Sequence, residues 1–306
     1  MRRTALFPLC FFLLLTSCAV TEKNVANISE LEPEPTIRVK IGGRRGGIRT
    51  LPMETYLAGV IGNEMSRRWP VEALKAQAVA ARSYALYRMR ENHHKRRRWD
   101  VLATQGDQVF RARDIQNQYL LGIVESTRGE VLWKNGHVVE AFYSSTCGGT
   151  TRSAAEAGLS RDSPLKSIGY DNYCRISPHR NWVVPMTLAD MEKKLRRAGI
   201  RVTNLRAVRV AKKEKSGYVD TVAIVDDKRT RLMSSRQFRK IMGVMRVKST
   251  CFDIQESERG VAVHGSGFGH GVGMCQYGAK QMSVKGRSYK SILAKYYPNV
   301  SIRKIY

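Results

Sequence analysis

Residues 59–88 read GVIGNEMSRRWPVEALKAQAVAARSYALYR. The spacing predicts a helix from Pro70 to about Arg90. Pro70 suits the first helical position, where its missing N–H costs nothing, and Glu72 sits in the first turn, where the helix dipole favours negative charge. Val71, Leu74, Ala78, Ala81 and Ala85 form one apolar stripe at helical spacing, and the many alanines predict close helix packing. Lys75 and Arg82, seven positions apart, share a face. Pro52 to Ile61 reads as a shorter helix with Leu57, Val60 and Ile61 on one side. Glu64 falls between the two helices, flanked by Gly62 and Trp69.

Outward from these helices the pattern changes period. Thr36 to Ile41 alternates like a strand and closes on Gly42-Gly43. Val131 to Tyr143 reads as a hairpin turning at Asn135-Gly136, and a second hairpin runs through Val219–Val225 and turns at Asp226-Asp227. Ser234 is placed to cap a helix ending at Gly243. Strands return at 247–255 and 261–264, followed by a glycine-rich loop, Gly265 to Gly273. A helix then runs from Gln276 to Gly286, and Ser288 caps a last one that Pro298 ends. Strands and helices mix without a βαβ rhythm. The expected class is α+β, with mainly antiparallel strands and helices packed around a substrate cleft.

The chain has 306 residues, 42% of them apolar, so it can bury a core. Its formal net charge of +27 draws polyanions: nucleic acid, anionic membrane or an acidic polysaccharide. The N-terminus chooses among them. Met1-Arg2-Arg3, the apolar run Ala5–Leu15 and Leu15-Thr16-Ser17-Cys18 resemble a bacterial lipoprotein signal in which Cys18 is acylated. Residues 1–17 are read as that signal peptide, 18–35 as the lipidated N-terminus and a flexible tether, and 36–306 as one catalytic domain. The chain is expected outside the cytoplasm, anchored to the envelope membrane on its periplasmic face. That argues against nucleic acid and favours the cell wall. Cys147, Cys174, Cys251 and Cys275 remain after processing, an even number that permits two disulfides in any of three pairings.

Three clusters could carry chemistry. Around Glu64, a sheltered carboxyl acquires a raised pKa and can donate a proton near neutral pH, while Lys75, Gln77 and Arg82 offer donors for a sugar carboxylate or acetamido group. FYSSTCGGTTRS (142–153) makes a polar strand exit. HGSGFGHGVGMCQYGAKQM (264–282) holds five glycines in nine positions around His270, before Gln276 and Tyr277 open a helix. No Walker lysine or preceding βαβ unit accompanies it, which argues against a nucleotide site.

Together the clusters resemble the stage II sporulation protein D family. Its Glu, then Trp, then EALKAQAVAAR-[ST]-YA motif is present from Glu64 to Ala85, its STxGG at Ser145–Gly149, and its GHGVGMxQYGA at Gly269–Ala279. Ser249 to Ile254 (STCFDI) and YYP at 296–298 extend the likeness over most of residues 36–306. Ser144 stands where many members have His, and Cys275 where many have Ser.

The resemblance implies a lytic transglycosylase acting on peptidoglycan strands denuded of stem peptides. Glu64 acts as general acid and then base, giving 1,6-anhydro-muramic ends. Lys75, Gln77, Arg82, Tyr143, Ser145, His270, Gln276 and Tyr277 are expected substrate contacts. The alternative it implies is a non-catalytic glycan binder that activates a cell-wall amidase. It requires no cofactor, but some members hold zinc near the cleft. Cys147, Cys174 and His179 are the expected ligands of such a structural zinc, with a Cys147–Cys174 disulfide as the favoured alternative in an oxidising compartment.

Overall fold

The computed structural model describes residues 32–42, 46–160, 163–257 and 260–306. The expected signal peptide, the lipidation site Cys18 and the tether up to residue 31 lie outside the described residues.

Residues 32–306 group as one unit containing two hydrophobic cores. The first is built on helix α1 (Met53–Glu64) and helix α2 (Val71–His94). Val71 is exposed, but from Ala73 to Ala85 every residue of α2 except Lys75 is buried, on all sides and not on one stripe. The alanines allow this. Small side chains let α1, helix α3 (Gln118–Glu125) and strand β4 (Glu130–Lys134) approach together. α2 also runs to His94, so it takes in the first two residues of the basic stretch HHKRRR at 93–98.

Strand β1 (Thr36–Lys40) pairs antiparallel with β2 (Ile48–Pro52) and parallel with the short β3 (Val101–Leu102). The expected hairpin forms with Asn135 and Gly136 both at positive φ, as its tight turn requires. Its second strand, β5 (His137–Val138), is only two residues long. The chain then leaves β4, and β6 (Tyr143–Ser144) pairs in parallel with β13 (Met274–Cys275) from the far end of the sequence. The Phe142 carbonyl explains the departure: it accepts from the Met274 N–H at 3.1 Å and from the Tyr297 hydroxyl at 2.8 Å.

Between these two strands the chain builds the second core. Sheet β11 (Phe252–Ser257), β12 (Gly260–Ser266), β7 (Asn181–Met186) and sheet β10 (Thr230–Ser234), β9 (Val219–Asp226), β8 (Leu205–Lys213) are both antiparallel. Helix α4 (Leu188–Arg197) is capped by Thr187 and α5 (Ser235–Met242) by Ser234. The chain returns through β13 into α6 (Gln276–Val284), then α7 (Tyr289–Tyr296) and β14 (Ser301–Lys304) beside β4. The result is an α+β fold, with strands mostly antiparallel. Among the described residues, no helix is long and apolar enough to cross a membrane.

Candidate functional site

Glu64 is the last residue of α1, and the backbone becomes extended at Met65. Its half-buried carboxyl accepts the Val109 N–H at 3.0 Å on one oxygen and the Gln276 side-chain amide at 3.3 Å on the other. Burial pushes this carboxyl above the usual range, and the hydrogen bonds from Val109 and Gln276 oppose the shift without cancelling it.

Gln276 opens α6 directly after β13, so the β6–β13 pairing sets its position. Its amide also lies 3.4 Å from the Gln77 carbonyl oxygen on α2. Tyr143, paired with Met274 in the same ladder, accepts from the Gln108 side chain at 2.8 Å, and Gln108 accepts from Tyr56 at 2.9 Å. That relay braces β6 against α1. Burial raises the Tyr143 hydroxyl well above its ordinary pKa, and the charge of Glu64 adds to the effect. Tyr277 meets Trp69 edge-to-face with centroids 4.8 Å apart, the Lys280 ammonium lies 5.1 Å from the Trp69 ring centre, and Arg67 and Arg68 are exposed beside them. The Tyr277 N–H donates to the Ser145 carbonyl at 3.1 Å.

The structure thus brings Glu64, Gln77, Tyr143, Ser145, Gln276 and Tyr277 to one junction of α1, α2, β6 and α6. Val109, Gln108, Tyr56 and Lys280 join them. Sequence reasoning missed Gln108 and Val109 because TQGDQVF (104–110) carries no motif signal, and Tyr56 because it reads as an ordinary core aromatic; Lys280 lies inside the third cluster and was passed over there for Gln276 and Tyr277.

One expected contact is corrected. Arg82 is fully buried and makes a bidentate pair with Glu54, at 2.9 and 2.6 Å, while also donating to the Glu130 carbonyl at 2.9 Å. It braces α1, α2 and β4 and is not accessible to a glycan. Lys75 shares that side of α2, where it pairs with Glu72 at 3.3 Å and faces the Tyr289 ring.

His270 lies behind Tyr143, in a cavity of about 120 Å³ lined also by Tyr84, Asp107, Phe142 and Leu159. Its Nδ1 accepts the Val272 N–H at 3.1 Å, and burial first, then Arg152, pushes its pKa down to about 4. It is a neutral brace of the glycine loop. The glycines bring that loop against protein backbone: a Cβ on Gly273, at φ +67°, would lie 2.0 Å from the Phe142 oxygen.

The cysteine expectations also change. All four described cysteines are free, and the Cys147 and Cys174 sulfurs lie 3.6 Å apart without a bond. His179 is not beside them. Its Nδ1 lies 3.4 Å from the Lys248 ammonium, and its ring packs on Phe268. Cys275 and Asp171 stand where His179 was expected.

Known proteins extend this picture. A family model described as "Stage II sporulation protein" matches residues 42–133, and one described as a domain of unknown function matches residues 171–273, the stretch that holds the second core. An uncharacterized protein of Brachyspira hyodysenteriae is 34% identical over 257 residues, covering 83% of this chain and 67% of that protein. Stage II sporulation protein D of Bacillus subtilis is 30% identical over 268 residues, covering 83% of this chain and 75% of its own. A Bacillus subtilis protein named Amidase enhancer is 29% identical over 294 residues, covering 80% of this chain but 40% of its own length. The chain belongs to the stage II sporulation protein D family.

Proposed function

We propose that the protein is a peptidoglycan lytic transglycosylase with Glu64 as its single acid and base. The observation that carries this reading is a carboxyl whose pKa is raised by burial at the junction of the three family motifs. Three other carboxylates are committed. Glu54 is held by Arg82, Asp107 by Tyr84 at 3.0 Å and Arg88 at 3.0 Å, and Asp171 by Tyr296 at 2.8 Å. A hydrolase with paired carboxylates needs a second free group. A lytic enzyme does not.

In the proposed cycle protonated Glu64 gives its proton to the glycosidic oxygen between N-acetylmuramic acid and N-acetylglucosamine, and the C1–O bond breaks. The carboxylate left behind is stabilised by Val109 and Gln276. It takes the proton of the C6 hydroxyl as that oxygen closes on C1, which yields the 1,6-anhydro end and regenerates the acid. Trp69, Tyr277 and Lys280 supply an aromatic and cationic wall for a sugar that carries a lactyl carboxylate. A net charge of +27 gathers the protein on denuded, regularly anionic glycan. Export and anchoring through Cys18 belong to the same proposal and rest on the N-terminal sequence alone. Mass spectrometry of lipidated N-terminal peptides from wild type and Cys18→Ala tests them.

The test of activity is product analysis on denuded glycan, wild type beside Glu64→Gln. Anhydro-muramic ends from wild type alone support the proposal; reducing ends replace it with hydrolysis. The relative named Amidase enhancer supports a second reading, a glycan binder that stimulates an amidase. That reading gains if neither form cuts while both bind glycan and raise amidase turnover equally.

A further inference from the structure

We propose that the C-terminal end of α2 and the β4–β5 turn beside it form a docking face for anionic phospholipid headgroups, which seats the protein on a membrane surface with the Glu64 cleft held away from it. The basic stretch HHKRRR begins in the last turn of α2 and continues past the helix. The helix dipole draws cations to that last turn but fades beyond it. Arg96, Arg97 and Arg98 therefore need another reason, and all three are exposed. The Trp99 ring ties the stretch to β1: Lys40 lies 4.1 Å from its centre and Arg97 5.8 Å. One turn back along α2, Arg90 lines a cavity of about 290 Å³ together with Lys134 and His137 of the hairpin, a seat for a phosphate-bearing headgroup.

The charge of this face is not neutralised within the protein. Glu91 is taken by Lys95 at 3.2 Å, Asp100 by Arg38 at 2.7 Å, and Glu140, the acid in the cavity wall, by Arg88 at 4.0 Å. No acid pairs with Arg90, Arg96, Arg97, Arg98 or Lys134 among the described residues. Consecutive cations over Lys95–Arg98, with more beside them, are the pattern that anionic lipid surfaces attract. Denuded glycan has the same sign, and position argues against it. At about 1.5 Å per residue, His94 lies about 25 Å along α2 from Gln77, which sits beside the acid's partner Gln276. A sugar held for cleavage sits toward the other end of the helix. The inference rests on the export proposed above, which puts the chain at an envelope membrane. The face adds an orientation that a flexible tether cannot supply.

Sedimentation of the full chain with lipid vesicles tests the face. Wild type should bind vesicles containing phosphatidylglycerol far more tightly than vesicles of phosphatidylcholine alone, and high salt should erase the difference. Each cation at an anionic surface is worth roughly fivefold in partitioning, so Arg96→Ala, Arg97→Ala and Arg98→Ala together should lower the anionic-over-neutral ratio roughly a hundredfold. Lys193→Ala, Arg197→Ala and Arg201→Ala together remove the same charge from exposed positions of the second core's segment and should leave most of the ratio. The first triple variant should bind denuded glycan as wild type does. Equal losses for the two triple variants reduce the effect to net charge and overturn the face. So does a wild type that binds both vesicles alike, or a first triple variant that keeps vesicles and loses glycan, which would make the stretch a glycan contact. Failure of the anchor reads differently: Cys18→Ala then binds neutral vesicles as wild type does, and the ratio is untouched.

Discussion

Gln276 and Glu64 meet across 212 positions of sequence, amide to carboxylate at 3.3 Å. A hydrogen bond donated to a carboxylate favours its ionised form, and here it restrains a carboxyl that burial drives upward. Gln276→Leu removes the restraint. A net hydrogen bond of about 1 kcal/mol corresponds to somewhat less than one pH unit. Because the acid must start protonated, activity is lost as pH rises through its pKa. The alkaline limb of the rate profile should therefore move upward by about half a unit to one unit in the variant. An unmoved or lowered limb in a pH series on denuded glycan removes Gln276 from the tuning of the acid.

Arg82 should behave as a structural residue. Arg82→Met leaves Glu54 buried without its guanidinium, which costs about 3–5 kcal/mol in urea unfolding. Arg82→Met combined with Glu54→Leu should cost clearly less, since no charge is then left unpaired. The surviving folded protein should bind glycan as wild type does. A normally stable Arg82→Met protein with weak glycan binding would return Arg82 to the cleft.

Two buried titrations should oppose each other in the stability profile. Burial, with the Glu91 and Asp107 charges, raises Glu140 to about 7 against the pull of Arg88. From about pH 4.3, the unfolded value, up to 7 the folded chain keeps a proton the unfolded chain has lost, so stability falls as pH rises. His270 is lowered to about 4. From about pH 6.5 down to 4 the unfolded chain takes up a proton the folded chain refuses, so stability falls as pH drops. Glu140→Gln should cancel the first slope and keep the second. Its unfolding midpoint should gain on wild type steadily between about pH 4.3 and 7. A constant difference across that range contradicts the assignment.

Two glycines at similar φ provide a controlled pair. Gly286, at φ +74°, faces open space, and its change to Ala should cost about 1 kcal/mol in backbone strain alone. Gly273→Ala adds the clash with the Phe142 oxygen and should cost more than twice that, and it should also shift the Tyr143 and Gln276 resonances. Equal costs for the two variants would mean that the loop yields without disturbing β6.

The sequence made α1, α2, the Asn135-Gly136 turn and the Ser234 and Ser288 caps legible, because each rests on local rules. What it hid is non-local. The strand expected over 137–143 breaks because Met274, directly after the glycine loop, claims the Phe142 carbonyl from 132 positions away, and no local pattern announces that. Lys75 and Arg82 do share a face, as their spacing says, but spacing cannot say whether a face meets solvent or Glu54. α4 was readable in principle from Thr187 and Asp190 at its start, with a mostly charged face around Met191 and Leu195. The three motifs were read as neighbours through family resemblance, and the β6–β13 ladder is the physical reason for their meeting.

That ladder also has a temporal meaning. A chain being made holds Glu64 early, but lacks its partner amide until residues 274–276 exist and the second core between the two strands has collapsed. Contacts of such long sequence separation form late in folding. A nascent or clipped chain thus carries the acid without the arrangement that tunes it, and chemical competence coincides with completion of the fold.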